Sequence, residues 1–336
     1  MSNQIATPVL LPTRDISLLS TKLLDRYVLP KVAMVLITVS AAAGAWLSLR
    51  GIGAAQPDLV AAKWLYFLAL SITAGGSVWG AFYTRSSYGE QDVDAPPLFL
   101  RREFEAFARL LVYASLAALA TGAYALARHP LLAGGRGAAW LSWLVVLELM
   151  VLLGMVLVGL AGRLELHAGG IDWLPGLQRW LKAAATLSLL GLLGMAALDV
   201  VPREGTDAAA ILTRWVHLAA FGVWFGGAAW NVFVAVPAAR AVLSFETVFS
   251  AASQLEQFRK VVRIALPAVV LTGTYQAYRM LGFDPSVLLA LPLGALILLK
   301  LGLIASLAVI FITCPMWRAC SPIAGVCDIT DIDVGP

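Results

Sequence analysis

The sequence predicts an all-α, polytopic integral membrane protein with eight transmembrane helices arranged as two parallel four-helix repeats. Three observations predict it: an apolar composition, eight apolar runs of spanning length, and an internal repeat at a fixed offset. Of the 336 residues, 60% are hydrophobic and 13% charged, against roughly half and a quarter in soluble domains. Crossing about 30 Å of hydrocarbon takes roughly 20 helical residues. Runs of that length fall at about 31–50, 62–84, 105–128, 138–162, 182–201, 211–236, 257–280 and 287–313.

The repeat is direct. Residues 63–128 align without a gap on 214–279, so that Trp64, Gly75, Gly76, Trp79, Phe82, Glu105, Phe107, Thr121, Gly122, Tyr124 and Arg128 recur 151 positions later as Trp215, Gly226, Gly227, Trp230, Phe233, Glu256, Phe258, Thr272, Gly273, Tyr275 and Arg279. Four spans per copy return the chain to its starting side, which makes the copies parallel and relates them by a pseudo-twofold axis along the membrane normal. The expected organisation is a cytoplasmic N-terminal segment (1–30), a first repeat (31–162), a linker (163–181), a second repeat (182–313) and a cytoplasmic tail (314–336). In the linker, His167, Gly169, Gly170, Trp173 and Pro175 have the composition of an interfacial turn with an aromatic anchor.

Orientation follows from the basic residues. With these spans, sixteen Lys and Arg fall on the side holding both termini and seven (Arg50, Lys63, Arg128, Arg136, Arg203, Arg214 and Arg279) on the other, which places both termini in the cytoplasm of a bacterial inner membrane. The net charge of +4 is explained by this bias and by anionic headgroups of the lipid bilayer, so no nucleic-acid partner is expected. The first 27 residues carry Arg14, Asp15, Asp25 and Arg26 and no long apolar run, so the first span is expected to direct insertion in place of a cleavable signal peptide. Cys314, Cys320 and Cys327 lie at or beyond the last span, in a compartment that disfavours disulfides and with a spacing that matches no zinc pattern.

The repeated residues read as scaffold. Gly75-Gly76 and Gly226-Gly227 remove side chains where helices approach closely, with Trp79 and Trp230 about a turn further along. Thr121-Gly122 and Thr272-Gly273 suit close crossings too, and Arg128 and Arg279 read as snorkelling anchors. Function is then expected where the copies differ.

Polar groups inside hydrocarbon mark a pairing or a site. Glu148 lies near the middle of the fourth span and Lys300 near the middle of the eighth, at equivalent positions once one residue is skipped. They are a candidate central ion pair, or else serve separately as proton carrier and counter-ion. His217 lies within a span where the first copy has Tyr66, whereas His129 and His167 sit at helix ends and are expected to be solvated. Met195 and Asp199, one turn apart on the fifth span, lie at a similar depth to His217. Imidazole, carboxylate and thioether together suit copper, and Cu(I) in particular; the alternative is a His217 that bonds a neighbouring hydroxyl or carbonyl. No catalytic Ser-His-Asp set, phosphate-binding glycine loop or His-Glu-x-x-His stretch is present, so hydrolase and nucleotide chemistry are not expected.

Trp215-Val216-His217, Trp224-Phe225-Gly226-Gly227, Phe258, Thr272-Gly273 and Leu298-Leu299-Lys300-Leu301, in that order over about 208–313, resemble the membrane domain of CopD-type copper-resistance proteins. The resemblance implies an inner-membrane protein for copper binding or passage, supplied from the periplasmic side by a copper carrier, and singles out His217 and Lys300. The His-bearing and Leu-Lys-Leu helices are also similar to those of HemJ-type haem-biosynthesis proteins. That likeness implies haem b, held by His217 alone, because His129 and His167 are misplaced for a second axial ligand. A third expectation is an accessory subunit of a larger membrane complex without chemistry of its own.

Overall fold

In the computed structural model, the described residues are 28–84, 87–88, 93–94, 97–129, 139–168, 173–242, 244–282 and 292–313. The N-terminal segment through residue 27 and the three cysteines lie outside them. The helices are α1 (Val28–Gly51), α2 (Pro57–Val78), α3 (Pro97–Ala127), α4 (Ala139–Ala168), α5 (Trp173–Glu204), α6 (Ala208–Trp230), α7 (Val236–Ala241), α8 (Phe245–Leu281) and α9 (Pro292–Thr313). A π-helical turn continues α2 at Trp79–Tyr83 and another continues α6 at Asn231–Ala235, and Ser87–Tyr88 pairs with Val93–Asp94 in a two-residue antiparallel ribbon.

Among the described residues six helices are long and apolar enough to cross a membrane, against the eight expected. The protein is a multi-pass, membrane-embedded chain. Of the two other expected spans, α8 carries Arg259, Lys260 and Arg263 within it, and α9 is a 22-residue helix with Lys300 as its one charged residue. Asp207 caps α6, its carboxylate accepting from the amides of Ala209 and Ala210. The Ala210 amide first, and then Arg279, hold that carboxyl below the usual range.

Helix order in space follows the glycines. α2 packs on α6 through Gly75 and Gly226, with α3 beside α2, α8 beside α6, α4 against α5 and α9 against α1. A Cβ on Gly226 would lie 2.5 Å from the Gly75 Cα, so the two backbones touch and only glycine fits. Gly227 leaves room for the Phe258 ring, 3.0 Å from where its Cβ would stand, and Gly76 does the same for Phe107. Beyond the glycines, Phe107 meets Trp230 and Phe258 meets Trp79, with ring centroids 4.9 and 5.8 Å apart. The indole of Trp64 donates to the Thr38 carbonyl at 2.9 Å and that of Trp215 to the Leu189 carbonyl at 3.0 Å. Each of these contacts has its counterpart 151 residues away.

Gly226→Ala is expected to force α2 and α6 apart, because its Cβ meets backbone that cannot rotate aside. A loss of about 3 kcal/mol, at the upper end for overpacking, should appear as a lower unfolding midpoint in detergent. An unchanged midpoint would mean that the crossing is not tightly packed.

Candidate functional site

The two copies place an aromatic ring at the same point and use it differently. Tyr66 on α2 lies against Gly122 of α3, and His217 on α6 lies against Gly273 of α8; a Cβ on either glycine would come 3.0 Å from Tyr66 Cε2 or 3.2 Å from His217 Cε1. The Thr-Gly pairs therefore seat these rings as well as serving helix crossing. His217 Nδ1 is 3.0 Å from Thr272 Oγ1. The threonine hydroxyl has one proton and donates it to the Ala268 carbonyl at 2.5 Å. With that bond made, the hydroxyl accepts from the ring, an arrangement that puts the imidazole proton on Nδ1 and a lone pair on Nε2. A hydrogen bond to one nitrogen that frees and orients the other is the usual preparation of a histidine ligand.

In the first half the ring is satisfied internally. The Tyr66 hydroxyl donates to Glu148 of α4, Leu152 packs over Gly122, and α3 lies along α4. The second half is open. Among the described residues α9 packs on α1 and not along α8, and a cavity of about 560 Å³ lies between α1, α5, α6, α8 and α9, lined by His217, Arg203, Arg214, Arg279 and Lys300 among mostly apolar neighbours. A smaller cavity of about 60 Å³, which shares Arg214, His217 and Lys300 with the larger one, brings in Met195 and Lys63.

Asp199, only 2% exposed, organises the charges. One oxygen accepts from Lys63, which also donates to Ser48 at 2.8 Å, and the other accepts from Arg214 at 2.7 and 3.1 Å. Arg214 continues to Gln276 at 2.9 Å, and Arg203 donates to the Asp199 carbonyl at 2.9 Å. Near the helix ends, Arg279 bonds Glu204 at 2.7 Å and Asp207 at 3.0 Å. Its counterpart Arg128 donates to Gln56 at 2.8 Å, so both arginines tie helix ends together in addition to anchoring them. Among the described residues the site thus holds five cations (Lys63, Arg203, Arg214, Arg279, Lys300) and three carboxylates (Asp199, Glu204, Asp207). Two positive charges are left over.

Several expectations need correction. No ion pair joins Glu148 and Lys300 among the described residues: Glu148 bonds Tyr66 and faces Gly191 and Gly194 of α5, while Lys300 lies near Gly44 and lines the cavities. Asp199 accepts from Lys63 on one oxygen and from Arg214 on the other, while Met195 and His217 line one cavity. No group of three or more His, Cys, Asp or Glu suited to a metal occurs among the described residues. His129, expected to be solvated, is 7% exposed, and burial first, then Lys63, lowers the pKa of its imidazole. Lys63, counted among the outer basic residues, is 9% exposed. The signal for it was present in the offset, since Lys63 corresponds to Arg214 and Ser48 to Asp199.

Compared with family models, curated proteins and solved structures, the chain matches none.

Proposed function

We propose that the chain is an inner-membrane protein of eight spans, with both termini cytoplasmic, whose second repeat holds one amphipathic anionic ligand, and that this ligand is haem b with His217 as its axial residue. The observation that carries the reading is His217 itself: an imidazole whose Nδ1 is bonded to Thr272, bordering an apolar cavity at which the cations outnumber the carboxylates by two among the described residues. In a low-dielectric setting such an excess is costly unless a ligand supplies the counter-charge. The volume lies within the roughly 300–1,000 Å³ of small-molecule and cofactor sites.

The repeat architecture is supported by two contacts. Gly75 touches Gly226 and Glu103 bonds Gln254, and each is a residue meeting its own counterpart 151 positions away. On a twofold axis, residues meet their equivalents. Both contacts fit one axis running between α2 and α6 and between α3 and α8.

In this reading His217 supplies Nε2 to the metal, Thr272 fixes the ring, and Arg203 and Lys300 take the acidic groups, while Asp199 keeps Lys63 and Arg214 in place. Bound haem b would supply a one-electron couple and a Lewis-acidic iron. Copper is the second reading, favoured by Met195 and His217 lining the same small cavity. Against it, Lys63, Arg214 and Lys300 border that cavity and repel a bare cation.

Metal content and absorption of the protein purified in mild detergent test the choice. About one iron per chain with a haem absorption band supports the reading, copper at that level moves it to the second, and neither metal leaves an accessory subunit. Lys300→Met is expected to weaken haem binding about tenfold, the value of one charge-assisted bond, with the unfolding midpoint of the ligand-free protein retained. Unaltered affinity would remove Lys300 from the site.

A further inference from the structure

At the other end of the bundle a carboxyl group is buried, and among the described residues no cation is bonded to it. Glu103, in the second turn of α3, is 0% exposed, and so is Gln254 of α8. The Gln254 amide nitrogen lies 2.9 and 3.1 Å from the two Glu103 oxygens. The amide is held that way round by the Trp230 indole, which donates to Gln254 Oε1 at 3.0 Å. Among the described residues Glu103 makes no ion pair. Of the charged side chains of α3, α8 and α5, Arg101 bonds Glu105, Lys260 bonds Glu256 and Lys182 lies over the Phe82 ring.

The repeat identifies a second donor. Glu103 corresponds to Gln254 and Trp79 to Trp230, so strict twofold symmetry would pair the Trp79 indole with Glu103 as it pairs the Trp230 indole with Gln254. Trp79 is 0% exposed and its indole nitrogen has no hydrogen-bond partner among the described residues. A buried N–H without an acceptor is uncommon and calls for an account. Both Glu103 oxygens lie beside the Gln254 amide nitrogen; a neutral carboxyl is a weak further acceptor, whereas an ionised one has free lone pairs on both oxygens and binds an added N–H donor about twice as strongly. The idle indole is the donor an ionised Glu103 would take up.

We propose that Glu103 is a proton-binding site at the cytoplasmic end of the axis, which exchanges one proton with the cytoplasmic water while Trp79 donates to the carboxylate form. On release the carboxyl O–H bond breaks, the proton passes to water, and the Trp79 N–H bond to the carboxylate forms; uptake reverses these steps. Gln254 stands where a second carboxyl would be required by strict twofold symmetry. Being an amide, it keeps the site to one exchangeable proton.

Infrared spectroscopy of the full chain in lipid nanodiscs, as a function of pH, tests this. Glu103→Gln should remove one pH-dependent carbonyl band of a protonated carboxyl, and Glu148→Gln should leave that band in place. Trp79→Phe, which keeps the carboxyl, should move the Glu103 band's titration up by about one pH unit, equivalent to one hydrogen bond lost from the ionised form alone. The proposal is overturned if the pH-dependent bands are the same with and without Glu103, or if the Glu103 band does not respond to pH. An unmoved titration in Trp79→Phe overturns the role of the indole. If Glu103→Gln does not fold, Trp79→Phe with isotope-edited glutamate spectra decides the matter.

Discussion

His217→Ala is expected to empty the second-half cavity while leaving the fold in place. The imidazole is the ligand that fixes iron in this reading, and among the described residues no other histidine lines either cavity. The haem absorption band and the iron should fall together by at least about a hundredfold in affinity, beyond the range of second-shell losses. The fold should survive because Leu218, Phe221 and Trp224, which pack the same stretch of α6, remain buried in the core. Thr272 loses only an acceptor role, since its hydroxyl stays bonded to Ala268. Thr272→Val offers a graded companion: the ring stays but loses its orienting bond, so affinity should drop about tenfold. Iron retained in His217→Ala would sink the assignment. Iron lost together with a collapsed unfolding midpoint would make the ring structural, and Thr272→Val would then separate the cases, since it leaves the imidazole in the core.

Much of the scaffold was legible because helix crossings demand glycine, and the same glycines recur at one offset: Gly75 and Gly226 touch where the sequence placed a close approach. His217 was legible for the opposite reason, as the point where an aromatic residue of one copy becomes a titratable one in the other. The proposed Glu148 and Lys300 pair failed on azimuth. Sequence position gives the depth of a residue along a helix, but α4 turns Glu148 toward α2 and α5, whereas α9 packs on α1 and leaves Lys300 at a cavity. The partners of Asp199 were hidden for a related reason: Lys63 was counted with the loop cations, although it lies within α2 and reaches across to α5. The offset contained that information too, since an acid in one copy where the other has Ser48 predicts a charge that needs cations from both.

Asp199→Ala is expected to be the most destabilising single change at the site. Among the described residues Asp199 is the only carboxylate bonded to Lys63 and Arg214, and both cations are largely buried. Removing it leaves two like charges facing each other where water and counter-ions enter poorly, and breaking a buried pair in this way costs about 3–5 kcal/mol. The unfolding midpoint in detergent should therefore fall well below that of Lys63→Met, which removes one cation and leaves Asp199 bonded to Arg214. Lys63→Met combined with Asp199→Asn should recover part of the loss, because the remaining Arg214 can meet the amide oxygen without a second cation nearby. The same series separates the charge-organising role from metal ligation. A ligand carboxylate would lose metal with little change in the stability of the metal-free protein, and would gain nothing from removing Lys63. Coupling between positions 63 and 199 in the metal-free protein therefore assigns Asp199 to the ion cluster, and strict additivity would return it to the list of candidate ligands.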